Sequence, residues 1–202
     1  MITIIDYGLG NIKAFLNIYR KLNIPTVVAT TAAQIDQASK LILPGVGSFD
    51  YAMARLNASG MRVSLDKAVL EKKTPVLGIC VGMQMLSASS DEGELPGLGW
   101  IDGTVKKFTL NENATILPHM GWNDVKSVKS SPLFLGIEEF SLFYFLHSYY
   151  FVCTNRENIL CESQYGINFT CAVAQNNVYG VQFHPEKSHN LGVQLLKNFS
   201  TI

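Results

Sequence analysis

Pro75-Val76-Leu77-Gly78-Ile79-Cys80-Val81-Gly82 is the stretch on which the fold turns. Residues 75–79 form a short apolar run with the length of a buried strand, too short for a core helix. The run ends in Gly-x-Cys-x-Gly, where flanking glycines remove Cβ clashes and allow a cramped reversal. A helix over residues 82–88 is expected to lead away from the turn. Strand, tight turn and helix together make the first half of a βαβ unit.

The same alternation recurs toward the N-terminus. Residues 2–6 read as a buried strand and residues 11–22 as a helix, because Ile12, Phe15, Leu16, Tyr19 and Leu22 fall at helical spacing, with Tyr7-Gly8-Leu9-Gly10 as the turn between. Residues 26–29 form a second strand, 32–38 a short helix, and 40–43 a third strand that runs into Pro44-Gly45-Val46-Gly47. Helical patterns follow at 49–56 and 61–73. This order predicts an α/β fold, an open and mostly parallel sheet with helices on both faces. Ligand chemistry belongs at the carboxyl ends of its strands, where both glycine-rich junctions lie.

After Gly97 the pattern changes to additional β-strands in the C-terminal half. Residues 104–108, 116–126, 143–150, 159–165, 169–175 and 178–183 read as extended, Asn176-Asn177 marks a turn, and residues 191–199 form a closing helix. With no internal repeat, low-complexity tract or linker, a single domain over residues 1–202 is expected.

Composition narrows the function. Hydrophobic residues make up 48% of the chain and charged residues 16%, which excludes disorder and leaves apolar surface for a partner. Sixteen basic residues balance sixteen acidic ones with no basic run, so nucleic acid is not the expected ligand. The N-terminus lacks a positive leader, and the most apolar later region, 140–152, is interrupted by Ser141, His147 and Ser148. A cytoplasmic chain without a membrane span is expected. Four cysteines without a CxxC pair fit a reducing compartment and argue against structural zinc, and no metal or cofactor is expected.

Cys153, Cys161 and Cys171 sit in strand-like apolar runs and read as ordinary buried thiols. Cys80 differs. At a strand-to-helix elbow the thiol is expected to be displayed, with the positive end of the following helix favouring thiolate. Gly-x-Cys-x-Gly alone is equally the mark of a core cysteine at a strand end. A nucleophile needs a base, and among His119, His147, His184 and His189 the best placed is His184. It follows the apolar strand ending at Phe183, Pro185 holds it extended, and Glu186 lies two residues on to orient the imidazole. Oxyanion donors are available from the backbone N–H of Val81, after the nucleophile, and from Gly47 in Pro44-Gly45-Val46-Gly47. By itself that glycine-rich segment is also a common strand-to-helix turn.

Six landmarks lie in order along the chain: Asp6-Tyr7-Gly8-Leu9-Gly10-Asn11, Pro44-Gly45-Val46-Gly47, Gly78-Ile79-Cys80-Val81-Gly82-Met83-Gln84, Pro118-His119-Met120-Gly121-Trp122-Asn123, His147-Ser148-Tyr149-Tyr150 and Gln182-Phe183-His184-Pro185-Glu186-Lys187-Ser188. Over essentially its whole length the chain resembles the class I, triad-type glutamine amidotransferases of flavodoxin-like fold. Within them it is most similar to the glutaminase subunits of imidazole glycerol phosphate synthases. The resemblance implies that Cys80 attacks the glutamine side-chain amide, His184 moves the proton, and Glu186 holds His184. It further implies a glutamine pocket lined by Gly47, Gln84, Ser148 and Tyr149. The implied partner is a separate (β/α)8 barrel synthase that docks on Asn11, Met120, Trp122 and Lys187, with Tyr144 nearby, and adds the ammonia to a ribulosyl aminoimidazole carboxamide nucleotide. Leu9 and Val81 depart from the methionine and leucine common at these positions. They leave a second reading, the same glutaminase chemistry feeding another synthase such as a sugar amidotransferase of surface-polysaccharide synthesis.

Overall fold

A computed structural model describes residues 1–109 and 116–202. The first half alternates β1 (Ile2–Ile5), α1 (Ile12–Lys21), β2 (Thr26–Ala29), α2 (Ala32–Asp36), β3 (Leu41–Gly45), α3 (Phe49–Ala58), α4 (Arg62–Asp66), β4 (Val76–Cys80) and α5 (Val81–Gln84). The second half supplies β5 (Ser89–Ser90), β6 (Gly103–Lys107), β7 (His119–Ser127), β8 (Ser141–His147), β9 (Tyr149–Cys153), β10 (Ile159–Tyr165), β11 (Ile167–Gln175), β12 (Val178–Val181) and the closing α6 (His189–Thr201).

The main run of strands is β2-β1-β3-β4-β12-β11-β10-β7-β8. Its first five members pair in parallel, in the flavodoxin-like order with β12 as the fifth strand. From β12 onward the pairing is antiparallel. Every residue of β1, β3 and β4 is buried, as required of parallel strands covered on both faces. Tyr19 of α1 ties two covering helices together, its hydroxyl donating to the Leu196 carbonyl of α6 at 3.1 Å.

Three elements differ from the sequence expectation. The helix after Cys80 lasts one turn, not the expected 82–88. Leu86 and Ser87 N–H tighten onto the Met83 and Gln84 carbonyls at 3.1 Å, and Ala88 N–H leaves the helix to donate to the Gly103 carbonyl at 3.0 Å. Residues 61–73 form α4 and then a π-turn at Lys67–Glu71, closed by Lys72 N–H on the Lys67 carbonyl at 3.1 Å. Residues 143–150 are two strands, because the chain changes partners at Ser148: β8 pairs with β7, whereas β9 pairs with β6 and β11.

The elbow is built from close backbone contact. Cys80 has φ 55° and ψ −114°, a strained conformation for a residue with a side chain. A Cβ on Gly82 would stand 2.0 Å from the Leu43 carbonyl oxygen, and one on Gly45 2.3 Å from Gly82 N. Glycine is therefore required where β3 meets the turn. Gly82→Ala is expected to destabilise the chain by about 3 kcal/mol, because backbone atoms of a central strand must move; a urea midpoint equal to that of the wild type would contradict this packing.

Candidate active site

β4 and β12 are parallel neighbours in a register that sets Ile79 opposite Val181. One residue past that pair, Cys80 enters the elbow and Gln182 leaves β12, so two chain segments far apart in sequence end side by side. Pro185 opens a 3-10 turn, Pro185–Lys187, that swings Glu186 back toward His184. His184 Nδ1 donates to Glu186 Oε1 at 2.9 Å, with both side chains at most 5% exposed. The imidazole and the Cys80 sulfur line the same cavity, close enough for the sulfur to raise the pKa of the ring. Since Nδ1 is occupied by Glu186, Nε2 is the nitrogen left free for proton transfer. The second carboxylate oxygen of Glu186 is buried without a hydrogen-bond partner.

The expected display of the thiol is corrected by the structure. Cys80 is 4% exposed and lines a cavity of about 300 Å³. Burial follows from its neighbours: Sγ lies 3.8 Å from the Leu146 carbonyl and 3.7 Å from Gln182 Nε2. The cavity is lined by Gly47, Val81, Gln84, Ser148 and Tyr149 together with Cys80 and His184. Gly47 sits at φ +86°, two residues past Gly45, the register partner of Cys80. Val81 opens α5, so its N–H has no intrahelical acceptor. Gln84 is 2% exposed, and its Nε2 donates to the Tyr149 carbonyl at 3.1 Å and to Gln182 Oε1 at 3.0 Å.

The same cavity contains residues that sequence reasoning did not assign, including Glu92, Pro118, Leu146 and His147. Glu92 arrives from a loop with no motif, and its Oε2 accepts from Phe49 N–H at 2.8 Å. Burial is the larger influence on its carboxyl and raises its pKa. Ser188 was also missed. Its hydroxyl donates to the His184 carbonyl at 2.7 Å and accepts from Tyr144 N–H at 3.0 Å, bracing the base against β8. The only signal for it was its place at the end of a landmark.

Of the five residues expected at a partner interface, Asn11, Met120, Trp122 and Lys187 are exposed, Tyr144 is half-buried, and Lys187 also lines the cavity. Met120 and Trp122 are 64% and 46% exposed on β7, where Trp122 pairs with half-buried Tyr144 of β8. Lys187 Nζ lies 5.4 Å above the Tyr144 ring, and His189 stacks on Trp122 at 5.1 Å. Asn11, before α1, is exposed.

The family model for "Glutamine amidotransferase class-I" matches residues 3–201. The imidazole glycerol phosphate synthase subunit HisH of Bdellovibrio bacteriovorus is 61% identical over 204 residues, covering 100% of both chains. The subunit of the same name from Leptospira interrogans is 49% identical over 204 residues, again covering 100% of both. The chain belongs to the class I glutamine amidotransferase family. A crystal structure of another glutamine amidotransferase shares the fold, with TM-score 0.76 and 18% identity over 100% of this chain and 99% of that one. Among the described residues of this glutamine amidotransferase, no group of His, Cys, Asp or Glu is arranged to hold a metal ion. Nor is any described helix long and apolar enough to cross a membrane.

Electrostatics separates the histidines of this amidotransferase into two kinds. At His184 burial is the largest influence and disfavours the charge, but hydrogen bonds and charges from Cys80 and Glu186 together outweigh it and raise the pKa to about 10. Burial lowers His119 to about 4 and His147 to about 3. His119 is stacked between Phe145 at 4.8 Å and Tyr165 at 4.0 Å. His147 Nδ1 faces the Tyr149 carbonyl at 2.8 Å and must donate, so its Nε2 accepts from His119 Nδ1 at 2.9 Å. His119 Nε2 then accepts from Asn123 at 3.2 Å, and both rings are fixed as neutral tautomers.

These shifts have opposite signs in pH. The raised His184 contributes its full stabilisation below about pH 6.5 and loses it as pH rises toward about 10. The depressed His119 and His147 cost stability as pH falls below about 6.5, because the unfolded chain then binds protons that the folded chain refuses. From pH 6.5 to 4.5 each neutral histidine should lower the unfolding free energy by roughly 1.4 kcal/mol per pH unit. Urea unfolding across that range should give a shallower acid slope for His119→Asn/His147→Asn than for the wild type, and equal slopes would contradict the assignment.

Proposed function

We propose that this chain is the glutaminase subunit of an imidazole glycerol phosphate synthase, one glutamine amidotransferase domain over residues 1–202 that hydrolyses L-glutamine and hands the ammonia to a separate (β/α)8 synthase subunit. The observation that carries the reading is His184, held by Glu186 and lining the same cavity as Cys80. Full-length identity of 61% and 49% to subunits of that name favours it over a glutaminase serving surface-polysaccharide synthesis.

Cys80 sulfur, as thiolate, attacks the side-chain amide carbon of glutamine. The carbonyl oxygen becomes an oxyanion that backbone N–H groups of Gly47 and Val81 stabilise. The raised pKa of His184 leaves the imidazole charged at neutral pH, ready to give its proton to the departing amine, which leaves as ammonia. The thioester remains on Cys80. His184, now neutral, takes a proton from water. The hydroxide adds to the thioester carbon, glutamate leaves, and sulfur is restored. Glu186 keeps the ring oriented throughout and balances its charge. Gln84, Ser148 and Tyr149 shape the pocket around the substrate. Glu92, a carboxylate on the same wall, suits the substrate's α-ammonium.

The docking face is Asn11, Met120, Trp122, Tyr144 and Lys187. Trp and Met are favoured anchors at interface cores, and here they stand exposed beside the cavity from which ammonia must leave. A cytoplasmic location suits a chain whose four cysteines are all free.

The test is glutamate release from glutamine by this chain mixed with the barrel synthase of the same organism and its ribulosyl nucleotide. Wild type is expected to couple hydrolysis to imidazole glycerol phosphate, while Cys80→Ala should lose at least about a thousandfold in glutaminase rate and still bind the barrel. Residual hydrolysis near the wild-type rate would remove Cys80 from its role. Trp122→Ala should weaken the complex by roughly 2 kcal/mol or more, read by titration calorimetry, with the thermal midpoint of the isolated chain little changed.

A further inference from the structure

We propose that Gln182 is a positioning residue for the nucleophile: its buried side-chain amide donates a hydrogen bond to Cys80 Sγ, fixing the sulfur and favouring its anionic form. This rests on the glutaminase reading of Cys80 given above. Gln182 is fully buried on the residue after β12, next to Cys80 by the register of β12 with β4. Its own backbone N–H donates to the Cys171 carbonyl at 2.8 Å, so the side chain has a fixed origin.

The direction of the amide follows from its neighbours. The Tyr149 carbonyl can only accept, so the group that Gln84 presents to it at 3.1 Å is NH₂. The same nitrogen lies 3.0 Å from Gln182, and the facing atom must therefore be the Gln182 oxygen. That leaves the Gln182 NH₂ directed at Cys80 Sγ, at 3.7 Å. The chain of donors runs from Gln84 through Gln182 to sulfur, and the Tyr149 carbonyl that anchors it is also held by His147 Nδ1 at 2.8 Å.

The sulfur's surroundings give this bond a preference for one protonation state. A neutral thiol can donate to the Leu146 carbonyl at 3.8 Å, whereas a thiolate finds only repulsion there. The anion requires donors, and the side-chain hydrogen bond that Sγ accepts comes from Gln182, with His184 lining the same cavity. The single turn of α5 aligns few peptide dipoles, so helix polarity contributes less than a long helix would. A hydrogen bond to a charged group in a dry site is stronger than one to its neutral form.

The experiment follows iodoacetamide alkylation of Cys80 in the full-length chain from pH 5 to 10, read by mass spectrometry, for wild type, Gln182→Met and Gln182→Glu. Gln182→Met keeps an unbranched side chain and removes the donor. Its alkylation profile is expected to move up by about one pH unit, roughly tenfold slower at the low-pH limb. Gln182→Glu, close to isosteric, places an acceptor against sulfur and should move it further. With the barrel present, kcat for glutamine should fall with KM little changed, a split that a loosened core would not produce. A Gln182→Met profile that overlays the wild type in a folded chain would overturn the proposal. If that variant does not fold, an unmoved Gln182→Glu profile would do so. Glutaminase activity surviving in Cys80→Ala would strike instead at the nucleophile reading and leave the alkylation profiles to decide the Gln182 contact.

Discussion

The parallel pairing of β4 with β12 is the constraint on which the rest of this molecule depends. Cys80 and Gln182, at the ends of these strands, are 102 residues apart in sequence. Yet Gly78 pairs with Gly180 and Ile79 with Val181. The pairing completes the parallel core and delivers two chain ends to the same edge. Cys80 arrives from one and Gln182, His184 and Glu186 from the other. A slip of one residue would turn every side chain to the opposite face, so the register that buries the apolar residues of both strands also aligns the site.

Close approach of backbone to backbone makes that edge compact. The elbow packs on β3 so tightly that Gly45 and Gly82 have no room for a Cβ, and one on Gly78 would stand 2.6 Å from the Gly82 carbonyl oxygen. Cys80 carries the strained dihedrals that result. Such strain persists only where surrounding packing over-determines it, and here the fully buried β3 and β4 supply that packing. Stability of the core and placement of the sulfur are one arrangement.

The antiparallel half has a different task. It covers the site and carries the exposed face beside it. His184 N–H donates to the Tyr144 carbonyl at 2.8 Å, while Tyr144 N–H reaches Ser188 at 3.0 Å. Tyr144 in turn stands across from Trp122 on β7. Any load placed on the β7–β8 hairpin therefore meets the backbone of His184 within two hydrogen bonds. The neutral pair His119 and His147 forms a second tie, from β7 into the turn at Ser148 that lines the cavity.

By itself the sequence determined the alternation of strands and helices in the first half, because apolar period and glycine placement are local properties. The contact of His184 with Glu186 was legible too, since a His-Pro-Glu step carries a local geometric reason. Tertiary structure decided what depends on competition between distant groups. The helix after Cys80 stops after one turn because the Ala88 N–H that would extend it is taken by the Gly103 carbonyl. The run at 143–150 divides because its two ends find different strands to pair with. The thiol is buried because Leu146 and Gln182 pack against it, and neither Glu92 nor Ser188 belongs to a motif that spacing alone can interpret. Hydrogen bonds between residues far apart in sequence leave no periodic trace, which is why these features emerged only when the chain was folded.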